Sequence, residues 1–157
     1  MSLPKSEPQE NIHSHGKLGF FDSGVGGLSV MAAFRSRYTE LDMVYFGDRA
    51  NCPYGDRTPE EILAFTLAGV AKLVEAKCVI IIIACNTAAA HAIEHLQNNV
   101  YPPGSGIKIL GVTVPGVEAT IDSHADIMLE LSCAINNKDP LSFATIGVLA
   151  TQVTVNA

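Results

Sequence analysis

Short, densely apolar runs alternate along the chain with longer stretches whose apolar residues recur every three or four positions. This is the pattern of buried strands alternating with amphipathic helices. Lys17–Phe21 predicts a first strand. Gly26–Tyr38 predicts the helix after it, with Leu28, Met31 and Phe34 at helical spacing and Ala32 and Ala33 adding propensity. Asp42–Phe46 predicts a second short strand that ends in the turn-rich stretch Gly47–Asp56. Thr58-Pro59-Glu60-Glu61 marks a helix start, with Thr58 as N-cap, Pro59 at the first helical position and Glu61 closing a capping box. Ile62, Leu63, Thr66, Leu67, Val70, Leu73 and Val74 then form one face down to Glu75. Cys78–Ala84 is almost continuously apolar, as a strand covered on both faces must be, and Asn86–Gln97 predicts the next helix.

This alternation predicts an α/β fold of parallel βαβ units. The Pro/Gly-rich stretch 99–106, containing Pro102-Pro103-Gly104-Ser105-Gly106, is the expected linker. On that reading 17–98 form a first α/β domain and 107–157 begin a second, incomplete one. The second unit would hold a strand at Ile107–Val112, a helix at Pro115–Leu131, a loop at Asn136–Pro140 and a strand at Ala144–Leu149. Residues 1–16 are polar, lack the apolar core of a signal peptide, and read as a disordered leader.

At 157 residues the chain has room for one ordinary domain or for one and part of another. A hydrophobic content of 48% and a mean hydropathy of +0.25 suit a well-buried α/β protein. The net charge of −6 argues against a nucleic-acid partner, which would want a basic face. No run reaches the roughly 18–20 apolar residues of a membrane span, so no membrane association is expected. The four cysteines, Cys52, Cys78, Cys85 and Cys133, form no C-x-x-C pair, and two of them lie in or beside an apolar run. The expected compartment is therefore reducing, with the cytoplasm as the default.

Two sites carry candidate chemistry. Asp22-Ser23-Gly24-Val25-Gly26-Gly27 follows the first strand, and Cys85-Asn86-Thr87 follows the apolar run Cys78–Ile83. In an open α/β sheet such strand ends face one crevice, where ligands bind. At a helix N-terminus the unpaired N–H groups and the helix dipole favour a thiolate at Cys85, and Asn86 and Thr87 add donors suited to a carboxylate. The plainer alternative is an inert buried cysteine, as Cys78 and Cys133 are read. Asp22 can assist a base, and Ser23 can donate a hydrogen bond; the plainer reading of Asp22 is a helix cap. Pro53-Tyr54-Gly55-Asp56-Arg57 lies on the same sheet edge. There Tyr54 and Gly55 can offer a hydroxyl and a backbone amide, while Asp56 and Arg57 read as an ordinary turn.

Two further patterns weigh less. Gly24-x-Gly26-x-x-Ser29, with Asp48 posing as a ribose-binding acid, comes close to a dinucleotide fingerprint, but Asp22 would repel a pyrophosphate. His91-Ala92-Ile93-Glu94-His95 matches the H-x-x-E-H pattern of metalloproteases, yet no third ligand follows, and the histidines read as exterior helix positions. No metal is expected.

Taken together, Phe21–Val30 (FDSGVGGLSV), Tyr45–Arg57 (YFGDRANCPYGDR) and Cys85-Asn86-Thr87 resemble glutamate racemase, as do Gly111–Gly116 and Ile146–Val155. The Cys-Asn-Thr triplet alone also fits aspartate racemases. The resemblance implies a two-domain α/β racemase that needs no cofactor and whose D-glutamate feeds peptidoglycan synthesis. Two cysteines would work on opposite faces of the substrate α-carbon. By the same resemblance Cys85 is the first of these and Asp22 assists its proton transfers. Ser23, Tyr54, Gly55, Asn86, Thr87, Thr151 and Thr154 are then substrate contacts. The expected partner is glutamate, with a homodimer as a further expectation. The family's second cysteine, in a Gly-Cys-Thr-His segment, has no counterpart in this sequence, and Cys133 is expected to end a helix instead. The chain therefore reads as the N-terminal part of such an enzyme, inactive by itself. The rival from another class is a short, non-catalytic chain that binds a ligand or a partner.

Overall fold

Residues 16–113, which the computed structural model describes, run through four parallel strands and three α-helices. Strands β1 (Lys17–Asp22), β2 (Met43–Gly47), β3 (Cys78–Ile83) and β4 (Lys108–Gly111) alternate with helices α1 (Leu28–Arg37), α2 (Pro59–Glu75) and α3 (Asn86–His95). The expected leader up to His15, the elements expected beyond Thr113, and Val114, Cys133, Thr151 and Thr154 lie outside the described residues.

The strands stand in the order β2-β1-β3-β4. The first crossover thus leaves β1 for one neighbour, and the second passes back over β1 to the other. With right-handed crossovers the covering helices must then change face, as the packing shows. Phe20 points to the α1 side, where its ring meets Phe34 edge-on at 5.4 Å. Phe21 points the opposite way, stacks on Phe46 at 6.0 Å, and lies directly beneath Gly69 of α2. The larger core lies on that second face, where Phe21, Ile81, Ile83 and Ile109 meet Ile62, Val70 and Leu73 of α2 and Ala88 and Ala92 of α3. The α1 face holds a smaller cluster of Leu18, Phe20 and Ile82, flanked by Val30, Met31 and Phe34.

Helix α2 begins as the sequence requires. Thr58 Oγ1 accepts from Glu61 N–H at 3.3 Å, and the Glu61 carboxylate accepts from Thr58 N–H at 2.9 Å. Helix α1 is shorter than expected at its start, because Gly24–Gly27 contains no capping side chain and the helix opens at Leu28 from an uncapped Gly27. Helix α3 gives way after His95 to a single π turn, Leu96–Val100.

Two expectations need correcting. Among the described residues, strand β3 is only partly covered on its α1 side: Ile82 is buried there, but Ile80 is 37% exposed. The strand expected to open a second unit pairs in parallel with β3 from Ile80↔Lys108 to Ile83↔Gly111 and extends this same sheet. The stretch 99–106 is thus a connection within the sheet rather than a break before it.

Candidate active site

The strand order reverses between β1 and β3, so the C-terminal ends of these two strands flank the crevice in which open α/β sheets bind ligands. Asp22 ends β1 and Cys85 follows β3, and the pairing continues one residue past β3, with Ala84 N–H donating to Phe21 C=O of β1 at 2.8 Å. Across this seam Ser23 Oγ lies 3.4 Å from Cys85 Sγ. Two residues 62 positions apart in sequence are thus brought into contact by the fold.

Cys85 is the N-cap of α3, in extended conformation, and its sulfur accepts from Ala88 N–H at 3.5 Å. The thiol is 9% exposed, and it faces the helix end, where backbone N–H groups supply partial positive charge. Asn86 and Thr87 form the first turn of α3, Asn86 exposed and Thr87 buried. Asp22, only 7% exposed, does not cap α1; its Oδ1 accepts from Gly24 N–H at 2.6 Å and closes the turn leading out of β1.

The loop after β2 joins the same end of the sheet. Asp48 N–H donates to Asp22 C=O at 2.9 Å, so the start of this loop is tied to the end of β1. The Asp48 carboxylate is 8% exposed and accepts from Tyr54 O–H at 2.8 Å and from Asn51 Nδ2 at 2.9 and 3.1 Å. Tyr54 is 2% exposed, and burial first, then the Asp48 carboxylate, push its phenol far above the usual range. The Tyr54 hydroxyl, expected at a ligand, donates to Asp48, and the ring packs into the core between Phe21 and Phe65. What this loop can still present at Tyr54 and Gly55 is backbone. The same bonds keep Asp48 from offering a free carboxylate to a ribose. Arg57 bonds Asn51 C=O at 3.1 Å and lies 3.9 Å from Glu61, which makes it part of the loop's scaffold.

The sequence gives Tyr45 no role beyond its place as first residue of the Tyr45–Arg57 run, since it is one aromatic in a strand of apolar residues. Its hydroxyl donates to Gly24 C=O at 3.1 Å. Burial, followed by the nearby Asp22 charge, lifts its phenol to about 12.

The other sequence patterns fall elsewhere. His95 Nδ1 lies 3.1 Å from Asn99 Nδ2, and among the described residues no group of three His, Cys, Asp or Glu side chains is placed to hold a metal ion. Cys52, Cys78 and Cys85 are free thiols. No described helix is long and apolar enough to cross a membrane. A groove of about 570 Å³ between α3 and β4 is lined by Ala89, Ile93, Gln97 and Leu110 and includes neither Asp22 nor Cys85.

No family model matches the chain. It is 45% identical over 107 residues to the glutamate racemase of Phenylobacterium zucineum, a match covering 65% of this chain and 38% of that protein. The glutamate racemase structure from Aquifex pyrophilus is 43% identical with a TM-score of 0.60, covering 66% of this chain and 39% of that one. The structure from Francisella tularensis, in complex with D-glutamate, is 33% identical with a TM-score of 0.59, covering 67% of this chain and 38% of that one. The chain thus spans less than half the length of the relatives it matches. Within that span, in sequence and in fold alike, the chain is similar to the glutamate racemases.

Proposed function

We propose that this crevice is one half of the active site of a cofactor-independent racemase acting on glutamate, with Cys85 as one of its two proton-transferring groups. The observation that carries the reading is the contact of Ser23 Oγ with Cys85 Sγ at the point where the strand order reverses. It sets a thiol, a hydroxyl and a helix N-terminus around one crevice. The Francisella tularensis relative, which binds D-glutamate, supports the choice of substrate.

The α-proton of an amino acid is a weak acid, so its removal needs a base held against it in a site that excludes water. In one direction the Cys85 thiolate takes the proton from Cα, and a thiol on the opposite face supplies one to the other side. In the reverse direction the roles exchange. Ser23 O–H steadies the Cys85 thiolate by donating to it, and Asp22 beside it assists the proton's arrival and departure. Backbone N–H groups at Asn86 and Thr87 hold the substrate carboxylate, and the Tyr54–Gly55 backbone closes that side. By the resemblance to the family, Thr151 and Thr154 are further substrate contacts. The second thiol belongs to a Gly-Cys-Thr-His segment that this sequence does not contain, so the 157-residue polypeptide does not turn glutamate over by itself. In the whole enzyme the D-glutamate formed would serve peptidoglycan synthesis in the cytoplasm.

The half-site can be tested without turnover. Millimolar glutamate is expected to slow alkylation of Cys85 by iodoacetamide several-fold, read at the Cys85 peptide by mass spectrometry, while exposed Cys52 serves as reference. Protection by aspartate and not by glutamate would move the assignment to an aspartate racemase. Protection by neither overturns the reading, and sustained inversion of glutamate by the pure chain, followed by circular dichroism, overturns the half-site.

A further inference from the structure

We propose that Tyr45 is a positioning residue of this crevice, holding the turn after β1 so that Ser23 meets Cys85. The inference rests on the reading of Cys85 as the working thiol, but its geometry stands separately. Both backbone groups of Gly24 are tied: its N–H donates to Asp22 Oδ1 at 2.6 Å, and its C=O accepts from Tyr45 Oη at 3.1 Å. Two residues along β2, a Cβ on Gly47 would run into the same Gly24 carbonyl oxygen. The carbonyl is therefore seated on β2 between the Tyr45 hydroxyl and the bare backbone of Gly47. Ser23 lies between the two tied residues, Asp22 and Gly24, and its hydroxyl contacts the sulfur of Cys85 at 3.4 Å. The next helix cannot supply this anchorage, since the N-terminus of α1 has no side-chain cap. A phenol with a pKa raised to about 12 stays protonated, and so remains a donor, across the working pH range of such a site.

A double-mutant cycle on the full 157-residue chain tests the role, with the alkylation rate of Cys85 at neutral pH as the readout. Tyr45→Phe keeps the ring in place beside Phe20, its register partner, and removes only the hydroxyl. We expect Tyr45→Phe and Ser23→Ala each to change the Cys85 rate roughly two- to tenfold in the same direction, as coupled neighbours do. In the Ser23→Ala background, Tyr45→Phe should then add nothing further, because it acts through Ser23. General loosening of the fold would act with or without the Ser23 hydroxyl, so the two factors would multiply. Multiplying factors, or no effect of Tyr45→Phe, overturns the proposal. Labelling of Cys78, buried in the core, reports whether each variant is folded. If Tyr45→Phe exposes it, Gly47→Ala displaces the same carbonyl with the hydroxyl intact and must show the same loss of additivity. Glutamate is absent from this measurement. Failure of glutamate to protect Cys85 would thus sink the proposed function and leave the Tyr45 result standing.

Discussion

Asp48 and Tyr54 are polar side chains placed out of water, and each is a hydrogen-bond partner of the other. Removing the phenol hydroxyl takes one donor from the buried Asp48 carboxylate, which also accepts from Asn51. Tyr54→Phe should therefore cost about 1–3 kcal/mol, read as a lower urea midpoint at unchanged slope. The raised phenols also set a pH dependence. Tyr45 and Tyr54 hold their protons more tightly folded than unfolded, so their contribution is intact below the unfolded value of 10.0. For Tyr45 it is lost between there and about 12, as the unfolded chain ionises first. Stability should fall through that window, and Tyr45→Phe should flatten the fall; an unchanged slope in alkaline urea titrations would contradict this. Cys85 and Asp22 were legible in the sequence because each ends an apolar run. The Asp48–Asn51–Tyr54 network and the Tyr45–Gly24 bond were not legible, because these contacts depend on how the loops close over the sheet.

Among the elements, α2 shows the greatest agreement between local signal and structure. Its cap, its proline and its apolar stripe act through residues within a few positions of one another, so no distant partner is needed to read them. Thr58→Ala removes the cap acceptor and should cost about 1 kcal/mol. Gly69→Ala improves helix propensity yet should destabilise by about 1–3 kcal/mol, since its Cβ would meet the rings of Phe21 and Phe46. Thermal melts of the two variants decide the matter: if Gly69→Ala melts higher than the parent, the packing argument fails. The start of α1 was misjudged because glycines carry no stop or start chemistry of their own. The end of α3 was misjudged because nothing before Pro102 forbids continued helix, and the π turn Leu96–Val100 occupies that interval. In it Tyr101 N–H donates to Leu96 C=O at 2.7 Å.

For the whole molecule, the uneven covering of the sheet has a measurable consequence. Among the described residues, Leu110 is 49% exposed and Ile80 37%, both on the α1 side of the sheet. Apolar sheet surface left open promotes association. Sedimentation of the 157-residue chain should therefore show self-association that rises with concentration, and Leu110→Lys should reduce it without lowering the melting temperature. A monomer at all concentrations would argue that this surface is covered in the free chain. The placement of β4 belongs to the same scale. Pro102-Pro103-Gly104-Ser105-Gly106 reads as a break in the chain, but a turn signal says only that the backbone changes direction, not which sheet the next strand joins.

The sequence by itself determined the alternation of strand and helix, the parallel class of sheet, the start of α2, and the positions of a carboxylate and a thiol just at or past two strand ends. Those follow from periodicity, capping and the placement of reactive residues just past buried runs, all of which are local. Only the tertiary structure decided the order of the strands, and with it that Asp22 and Cys85 flank one reversal point. It also decided that β4 joins the first sheet, that the Tyr54 hydroxyl donates to Asp48, and that Tyr45 reaches Gly24. Each of these is a contact between residues whose separation along the chain carries no energetic signal until the sheet has formed, because its partner is chosen by hydrogen-bond register and packing rather than by neighbouring residues.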